Sequence, residues 1–462
     1  MHIPADDRPH PPPPGADGIG DINRPTAGEG LLDRVRGELD LPAWGERSRR
    51  GVAVPLPSRL ATADLAWASV AAAMLAAGRS PAALDPDRVA TAYRSDRVLM
   101  IDGSAPPVWS PFSGFWRTTD GWIRTHGNYP HHARGLRAGL LLPDDADAGT
   151  VREALAMRTT ADAVIGIMSA GGLAVQVSAE TPATDRVLRE GPLLDIRRVD
   201  ASRHPGSRAA RATAVRRAEL PLQGIRVLDL TRVIAGPVCT RTLALLGADV
   251  LRIDPPHLPE PGWQHLDTGH GKRSSLLDAR SLRFQELLAE ADAVVLGYRP
   301  VALARLGLQP EMLARRHPGL VVAQLSAWGA AEPDRAGFDS LVQAASGIAI
   351  IESPDGVRPG ALPAQALDHS AGYLLAAAVT TLLERRSREG GSWYVGTSLR
   401  RVAAELLGMP RRREPGPDVE RDFRPHLAQF HVDGRTVVTS RPALAGLEFE
   451  APHAWGSDQP VW

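Results

Sequence analysis

The stretch that decides the fold is GIRVLDLTRVIAGPVCTRTLALLGADVLRIDPP, residues 224–256. Two apolar segments, IRVLDL and DVLRID, flank a helical pattern over TRTLALLGA, and this order predicts a β-α-β unit with parallel strands. Further apolar segments follow in alternation with helical ones: AVVLGY, LVVAQLS and WYVGTSL. We therefore expect an α/β fold, with a Rossmann-like parallel sheet covered by helices on both faces.

The turn after the first strand differs from that of a dinucleotide-binding protein. A G-x-G-x-x-G turn lets pyrophosphate approach bare backbone, whereas residues 231–237 contain one glycine, Gly236, followed by Pro237 in the predicted first helical turn. Asp254 ends the second strand and would be the ribose-binding acid in an NAD-binding protein. No G-x-x-x-x-G-K-[ST] motif occurs, so the turn argues against both an NAD site and a P-loop.

Composition excludes several classes of function. Basic and acidic residues balance at 53 each, for a formal net charge of +0, so no overall field favours nucleic acid or an anionic membrane. Hydrophobic residues at 43% and charged residues at 23% are typical of a globular protein. The single cysteine, Cys239, allows neither an intramolecular disulfide nor a cysteine-rich metal site. We expect a cytoplasmic protein without metal, nucleic-acid or membrane partners.

A chain of 462 residues is too long for one compact core, so we expect more than one domain. The predicted division is a disordered proline-rich tail (1–30), a smaller α+β region (31–215), a Rossmann-like domain (216–410) and a C-terminal hairpin and tail (411–462).

Local patterns fill in these regions. We predict a buried helix over 59–78, a hairpin over 114–127 with Asp-Gly at its turn, a linker over 200–218, a long helix over 371–386 and a last hairpin over 430–438.

Five blocks of sequence occur in an order that carries a resemblance. They are residues 222–256, GHGKRSSLLDAR (269–280), DAVVLGYRPVALARLGL (292–308), VVAQLSAWG (321–329) and FDSLVQAASG (338–347). Together they resemble the family III CoA-transferases, the CaiB/BaiF family, over roughly residues 220 to 400. The resemblance implies that the Rossmann-like domain binds coenzyme A. It also implies an enzyme that moves coenzyme A between an acyl-CoA thioester and a carboxylic acid.

The resemblance also implies a set of residues that contact coenzyme A: Val233, Ile234, Arg280, Tyr298, Arg299 and Arg305. The three arginines follow predicted strands, where open α/β sheets bind ligands, and guanidinium groups suit the phosphates of coenzyme A. Taken singly, each arginine is equally well explained as a solvated surface charge. Lys272, the only lysine of the chain, is either structural or a ligand contact.

The segment PAQALDHSAGYLL (363–375) places Asp368 just before the predicted long helix. From the residues alone, Asp368 is a helix cap. The resemblance implies instead that Asp368 is the nucleophile, which forms an aspartyl-CoA thioester. The adjacent His369 is expected to point elsewhere. Racemases of the family carry histidine at the position of Phe338, so phenylalanine argues against an acyl-CoA racemase or isomerase, which stays an alternative together with a catalytically silent CoA-binding subunit.

The segment PPVWSPFSGFWRTTDGWIRTHGNYPHH (106–132) resembles the smaller domain of the family, but it precedes the Rossmann-like part. The chain therefore looks rearranged. Family active sites form where domains of two interlocked subunits meet, which implies a homodimer and leaves open how this chain completes its site. Five residues of the segment either face the acyl group or pack around the hairpin: Trp109, Ser113, Gly114, His126 and His131.

Overall fold

The computed structural model describes residues 26–44, 54–200, 220–418 and 421–462. Seven strands form its main sheet in the order β5-β11-β10-β9-β6-β7-β8, and all neighbours are parallel except the edge strand β5, which runs antiparallel to β11. The bounds are β5 Asp195–Asp200, β6 Arg226–Leu230, β7 Asp249–Asp254, β8 Lys272–Leu276, β9 Ala293–Leu296, β10 Val321–Ser326 and β11 Ser392–Ser398.

Two smaller sheets of three strands each stand apart from the main sheet. One has the order β2-β3-β4, with β2 Gly114–Arg117, β3 Trp122–Thr125 and β4 Ala174–Gln176. The other has the order β1-β13-β12 and joins β1 Met100–Ile101 to the hairpin of β12 Leu427–Val432 and β13 Arg435–Ser440. The C-terminal hairpin is thus completed by a strand from the first quarter of the chain.

The helices of the described residues cover the main sheet and surround the β2-β3-β4 sheet. Before the sheet's first parallel strand they are α1 Ala27–Leu39, α2 Thr62–Ala76, α3 Pro86–Tyr93, α4 Ser95–Val98, α5 Pro130–Gly139, α6 Ala148–Ala156, α7 Thr160–Ser169 and α8 Pro182–Glu190. Those that follow are α9 Ala235–Leu245, α10 Gly262–Thr268, α11 Leu282–Glu290, α12 Pro300–Arg305, α13 Pro310–Arg316, α14 Asp339–Ala345, α15 Ile348–Ile351, α16 Ala366–Glu389 and α17 Leu399–Gly408. Two short 3₁₀ helices lie at Pro81–Ala83 and Arg424–His426.

The predicted α/β fold with a parallel sheet is confirmed. The chain runs outwards from β6 to β7 and β8, then returns to β9 on the other side of β6. The strand order therefore reverses between β6 and β9, and open α/β sheets bind ligands beyond the carboxyl ends of the strands at such a point. Residues 231–234 follow β6 and Tyr298 follows β9, so this part of the chain is where the fold places a site.

Several local predictions are also confirmed. The helix expected over 59–78 is α2, and Gly78 just beyond it has φ +70. The hairpin around Asp120 and Gly121 is β2-β3, and the last hairpin turns through Asp433 (φ 49) and Gly434 (φ 73). Positive φ at both positions of that turn is what a two-residue hairpin turn requires.

Two strands of the main sheet were not predicted. Strand β8 has the sequence KRSSL, in which Lys272, Ser274 and Ser275 are buried, so it lacks the apolar run of its neighbours. Both serines bond to Asp458 in the C-terminal segment. The Asp458 carboxylate accepts from Ser274 N at 2.7 Å, and the Asp458 N–H donates to Ser274 O at 2.8 Å. The Ser275 hydroxyl donates to Asp458 O. Strand β5 comes from the region N-terminal to the predicted Rossmann-like domain.

The predicted domain division stays a prediction, and the structure adds three facts to it. Hydrophobic residues from both sides of the boundary at 215 share one core, in which α1 packs on α2 and α2 packs on α16. The predicted tail overlaps α1, which begins at Ala27 after a capping box of Thr26 and Glu29, while residues 1–25 lie outside the described residues. The linker predicted over 200–218 falls almost wholly on residues 201–219, which are also outside them.

Helix α16 is the central helix of the large core. It is long and apolar enough to cross a membrane, but its most apolar window is entirely buried inside the protein. Gly372 lets it approach α9, because a Cβ at this position would lie 2.6 Å from Ala235 O and 2.8 Å from Val238 Cβ. This close approach brings the first turn of α16 beside the turn that follows β6.

Candidate active site

A cleft of about 360 Å³ lies at the reversal of strand order and collects residues from distant parts of the chain. The turn after β6 contributes Val233 and Ile234, and the first turn of α16 contributes Asp368. Trp109 and His126 come from the segment around the β2-β3 hairpin. The remaining lining residues are Asp96, Val108, Asn128, Trp263, Gln264, Phe338, Ser340 and Gln365.

The turn after β6 holds a strained residue. Val233 has φ 72, a conformation that β-branched side chains rarely adopt, and strain of this kind is typical of functional sites. Its N–H donates to Glu260 Oε1 at 2.7 Å, and the other carboxylate oxygen of Glu260 pairs with Arg252. Arg252 also binds Asp254 through contacts of 2.7 Å and 3.1 Å. The buried ion pairs of Arg252 with Glu260 and Asp254 therefore hold the turn in this conformation through the bond from Val233 N to Glu260.

This network explains Asp254 without a nucleotide. Asp254 is fully buried, engages Arg252 and accepts from Trp455 Nε1 at 3.1 Å, so its oxygens are committed to protein partners. Lys272 is likewise structural: its Nζ lies 3.0 Å from Asp229 Oδ2, and both side chains are buried. Burial alone would raise the pKa of Asp229, but Lys272 and the neighbouring donors hold that pKa below its usual value.

Asp368 lies inside the helix rather than before it. Helix α16 begins at Ala366, so Asp368 is its third residue, and the predicted capping position is wrong by one turn because α16 extends further back than its apolar pattern. No hydrogen bond to the Asp368 carboxyl group comes from the described residues. The group lines the cleft, and burial together with the charge of Asp339 raises its pKa well above the ordinary value.

Asp339 is the residue that holds this turn in place. Its Oδ2 accepts from Asp368 N at 2.9 Å, and its other oxygen accepts from the side chain of Gln343. Asp339 is buried, and burial raises its pKa to about 6. Two carboxyl groups thus share one poorly hydrated environment, in which it is unfavourable for both to be ionised.

An aromatic cluster contributes His126 and Phe338 to the lining of the cleft that contains Asp368. The ring of His126 stacks on that of Phe338, with centroids 3.8 Å apart and an interplanar angle of 10°. Tyr129 and His132 lie against the same phenylalanine, at 6.2 Å and 6.0 Å. Burial, reinforced by nearby positive charge, holds the pKa of His126 well below its usual value, so its imidazole is neutral at neutral pH.

The predicted coenzyme A contacts divide into two groups. Val233 and Ile234 line the cleft, whereas Tyr298 does not line it and has a buried hydroxyl that bonds to none of the described residues. The three arginines do not line the cleft, and all are exposed at or beyond the carboxyl ends of β8 and β9. Arg280 lies 3.8 Å from Asp278, and Arg299 donates to Asp334 O at 3.0 Å. Arg305 ends α12.

The other residues singled out from the sequence are also placed. Ser113 donates to Asn128 Oδ1 at 2.6 Å and accepts from Gly127 N, so it supports the loop beside the cleft. Gly114 begins β2, and His131 is an exposed residue of α5. His369 points away from the cleft as expected, since its ring stacks on Tyr93 at 5.0 Å. Cys239 is a buried free thiol.

Sequence reasoning missed several residues of the site. Asp96 lies in α4 and lines the cleft, where burial and the charge of Asp267 raise its pKa to about 6. Arg232 lies 5.1 Å over the Tyr129 ring, and two of its nitrogens are buried without a partner among the described residues. Only the family block FDSLVQAASG pointed towards Asp339, and no local pattern marked Asp96 or Arg232.

The comparisons with known proteins agree with the sequence blocks. Residues 222–413 match the sequence model described as "CoA-transferase family III". This part of the chain, less than half of the whole, is similar to that family. The family resemblance inferred from the sequence is thereby confirmed, and the cleft lies where the family III domain meets the β2-β3 hairpin of the preceding region. The rearranged order of the domains stays a prediction.

Individual relatives share the same region. A probable fatty acyl-CoA transferase of Mycobacterium tuberculosis is 32% identical over 206 residues, or 40% of this chain and 52% of the relative. Succinyl-CoA:glutarate CoA-transferase of Mus musculus is 32% identical over 200 residues, or 39% and 45%. A crystal structure of the Mycobacterium tuberculosis protein is 31% identical with a TM-score of 0.38, covering 41% of this chain and 57% of that one. The chain thus spans about half the length of these relatives.

Proposed function

We propose that the protein is a CoA-transferase that moves coenzyme A between an acyl-CoA thioester and a carboxylic acid through Asp368. The observation that carries the proposal is that the Asp368 carboxyl group lies in the cleft without a hydrogen-bond partner among the described residues. A carboxyl group that capped its own helix would be committed to backbone N–H groups. A poorly hydrated and unpaired carboxylate is instead a competent nucleophile.

The reaction proceeds in two mirrored halves. The Asp368 carboxylate attacks the thioester carbonyl, the C–S bond breaks, and a mixed anhydride and coenzyme A thiolate form. The thiolate attacks the aspartyl carbonyl, which releases the donor acid and leaves an aspartyl-CoA thioester. The carboxylate of the acceptor acid then repeats the sequence in reverse and restores Asp368. Each bond that breaks is matched by one that forms, and no net proton is consumed.

The developing oxyanions need hydrogen-bond donors. The N–H of Asp368 is bonded to Asp339, and that of His369 to Gln365 O at 3.1 Å, so neither of these groups is available as a donor. The N-terminus of α9 follows Ile234, which lines the cleft. The first N–H groups of a helix lack partners within it, so α9 is the better candidate for this role.

Isotope exchange tests the proposal directly. Incubation with a panel of acyl-CoA thioesters and the matching deuterated acids is expected to place deuterated acyl groups on coenzyme A, measured by mass spectrometry. Asp368→Asn should abolish the exchange. Asp162→Asn is the matched control. Asp162 is also the third residue of its helix, but it is exposed and does not line the cleft. Exchange that survives in Asp368→Asn would contradict the proposal.

A second candidate function is supported by His126. Phe338 occupies the position where the racemases of the family carry histidine, yet the structure stacks another histidine on its ring, in the same cleft as Asp368. A neutral imidazole and a carboxyl group of raised pKa are suited to remove and return a proton at the carbon next to the thioester. We propose this acyl-CoA isomerisation as the alternative.

Deuterium incorporation separates the two functions. In D₂O, an isomerase exchanges the proton next to the thioester without any acceptor acid, and His126→Asn should abolish that exchange. A transferase requires the acceptor and should retain acyl transfer in His126→Asn. A homodimer, a cytoplasmic location, a silent CoA-binding role and the absence of metal or NAD stay predictions from the sequence.

A further inference from the structure

The side chain of Arg124 occupies a position that the proposed reaction does not explain. Arg124 lies on β3 between Ile123 and Thr125, which are both fully buried in or beside the core of the β2-β3-β4 sheet. Successive strand residues point to opposite faces, so Arg124 points away from that core. Its Cζ lies 5.0 Å from the ring centre of Trp109 and 4.8 Å from that of Phe115.

The Arg124 guanidinium contacts no carboxylate of the described residues directly, although the charge of Asp339 acts on it from beyond ion-pair distance. Among residues 26–44, 54–200, 220–418 and 421–462, none forms a hydrogen bond or an ion pair with it, and its Nε is buried without an acceptor. The fully buried Arg252 and Arg386, by contrast, each pair with an aspartate, Asp254 and Asp292 respectively. Burial lowers the pKa of Arg124 only to about 10, so the side chain stays positively charged at neutral pH. Arg124 is half-buried, and because its guanidinium forms no ion pair with the described residues, the charge is available to an anionic group of a ligand.

The position of this charge points to the ligand. Trp109, against which the guanidinium lies, lines the cleft that contains Asp368. The charge of Arg124 also reaches Asp339, whose pKa it lowers, and Asp339 is hydrogen-bonded to the backbone of Asp368. The Arg124 cation is therefore in contact with one of the residues that line the cleft containing Asp368.

We propose that Arg124 binds a second carboxylate of the substrate, so that the acids handled by this protein are dicarboxylic. The inference rests on the proposed transferase function. The thioester carbonyl lies at Asp368, and the free carboxylate at the other end of the acyl chain meets the guanidinium beside Trp109. A charge-assisted bond of this kind favours the dicarboxylic acyl group over an uncharged one of the same chain length.

A purely structural role for Arg124 is the rival explanation. In that case the guanidinium only balances Asp339 and fills the space between Trp109 and Phe115, and its loss affects every substrate alike. The two explanations differ in selectivity between substrates rather than in overall activity, so the test compares two thioesters.

Affinity measured on a non-reacting protein provides this test. Calorimetric titration of Asp368→Asn with succinyl-CoA and butyryl-CoA compares two four-carbon acyl groups that differ by a terminal carboxylate. We expect succinyl-CoA to bind more tightly, on the order of tenfold to a hundredfold. Adding Arg124→Met should bring the ratio to about one by weakening succinyl-CoA alone. Arg117→Met is the matched control, because exposed Arg117 lies on the same hairpin over the Trp122 ring.

Three outcomes would overturn the inference: equal affinities in the protein that retains Arg124, equal weakening of both thioesters by Arg124→Met, and binding of neither thioester. Failure of the proposed transferase function has a different signature, the absence of isotope exchange by the unaltered protein with every donor. The binding ratio does not depend on turnover, so the two failures are distinguishable.

Discussion

At the scale of single residues, the buried pair of Asp339 and Asp368 dominates the chemistry. Burial raises both pKa values, that of Asp339 to about 6, and the charge of Asp339 raises the pKa of Asp368 further. The nucleophile must be ionised, so the pair makes the Asp368 carboxylate strongly basic but limits its population at acidic pH. Catalysis requires the ionised form of Asp368, whereas the buried environment makes the neutral form the more stable one.

The first prediction concerns the pH dependence of transfer. Asp339→Asn removes the like charge beside Asp368, so the pKa of Asp368 falls and the acid limb of the rate profile moves to lower pH. The asparagine Oδ1 can still accept from Asp368 N, which keeps the helix start in place. The profile of kcat/KM against pH measures the shift, and Asp162→Asn provides the unaltered reference. An acid limb that stays in place would show that Asp339 does not influence the nucleophile.

The second prediction concerns stability. A carboxyl group whose pKa is raised by folding binds its proton more tightly in the folded state, so its contribution is present below the unfolded pKa and is lost as pH rises through the folded pKa. Asp368→Asn removes this loss and should raise the Tm at pH 8 by at least about 2 °C. Near pH 4 the side chain at position 368 is neutral in the folded state of both proteins, so the difference in Tm between them should vanish. Calorimetry at both pH values measures the effect, and a lower Tm at pH 8 would contradict it.

At the scale of elements, the site depends on the close crossing of α16 and α9. The crossing is possible because Gly372 presents no side chain to Ala235 O and Val238. The same contact places the first turn of α16 beside the strained turn at Val233, so the nucleophile and that turn share one structural support.

The third prediction tests this support. Gly372→Ala would bring a Cβ to 2.6 Å from Ala235 O, so the helices must separate, and we expect a loss of stability of about 1–3 kcal/mol together with weaker coenzyme A binding. Gly30→Ala is the matched control, since it lies in α1 with nothing within 4 Å of the added Cβ. The control should stabilise by up to about 1 kcal/mol. Chemical denaturation measures both changes, and equal behaviour of the two variants would contradict the prediction.

The elements also show which parts of the fold a sequence reveals. Strands β9 and β10 are buried on both faces and read as apolar runs, so their prediction needed no knowledge of tertiary structure. Strand β8 was missed because its buried Lys272 and serines are satisfied by Asp229 and by the C-terminal segment, which lie far away in the sequence. Buried polar residues whose hydrogen-bond partners are distant in the sequence leave no hydrophobic pattern from which a strand could be predicted.

At the scale of the whole molecule, the cleft joins parts of the chain that the sequence could not relate. Val233, Ile234 and Asp368 were identified because the resemblance to family III CoA-transferases covers them. The sequence predicts for Trp109 and His126 either contact with the acyl group or packing around the hairpin, and Asp96 and Arg124 carry no signal. These four lie before residue 222, and only the fold brings the first three into the cleft and Arg124 against Trp109.

The central claim is that Asp368 forms a covalent thioester with coenzyme A, and trapping that intermediate tests it most directly. Hydroxylamine converts an aspartyl thioester into a hydroxamate, which peptide mass spectrometry locates. After incubation with acyl-CoA donors and hydroxylamine, we predict a hydroxamate on Asp368, absent when the donor is omitted and absent from Asp368→Asn. Unlabelled Asp368 with every donor, or a label on another carboxyl group, would contradict the account.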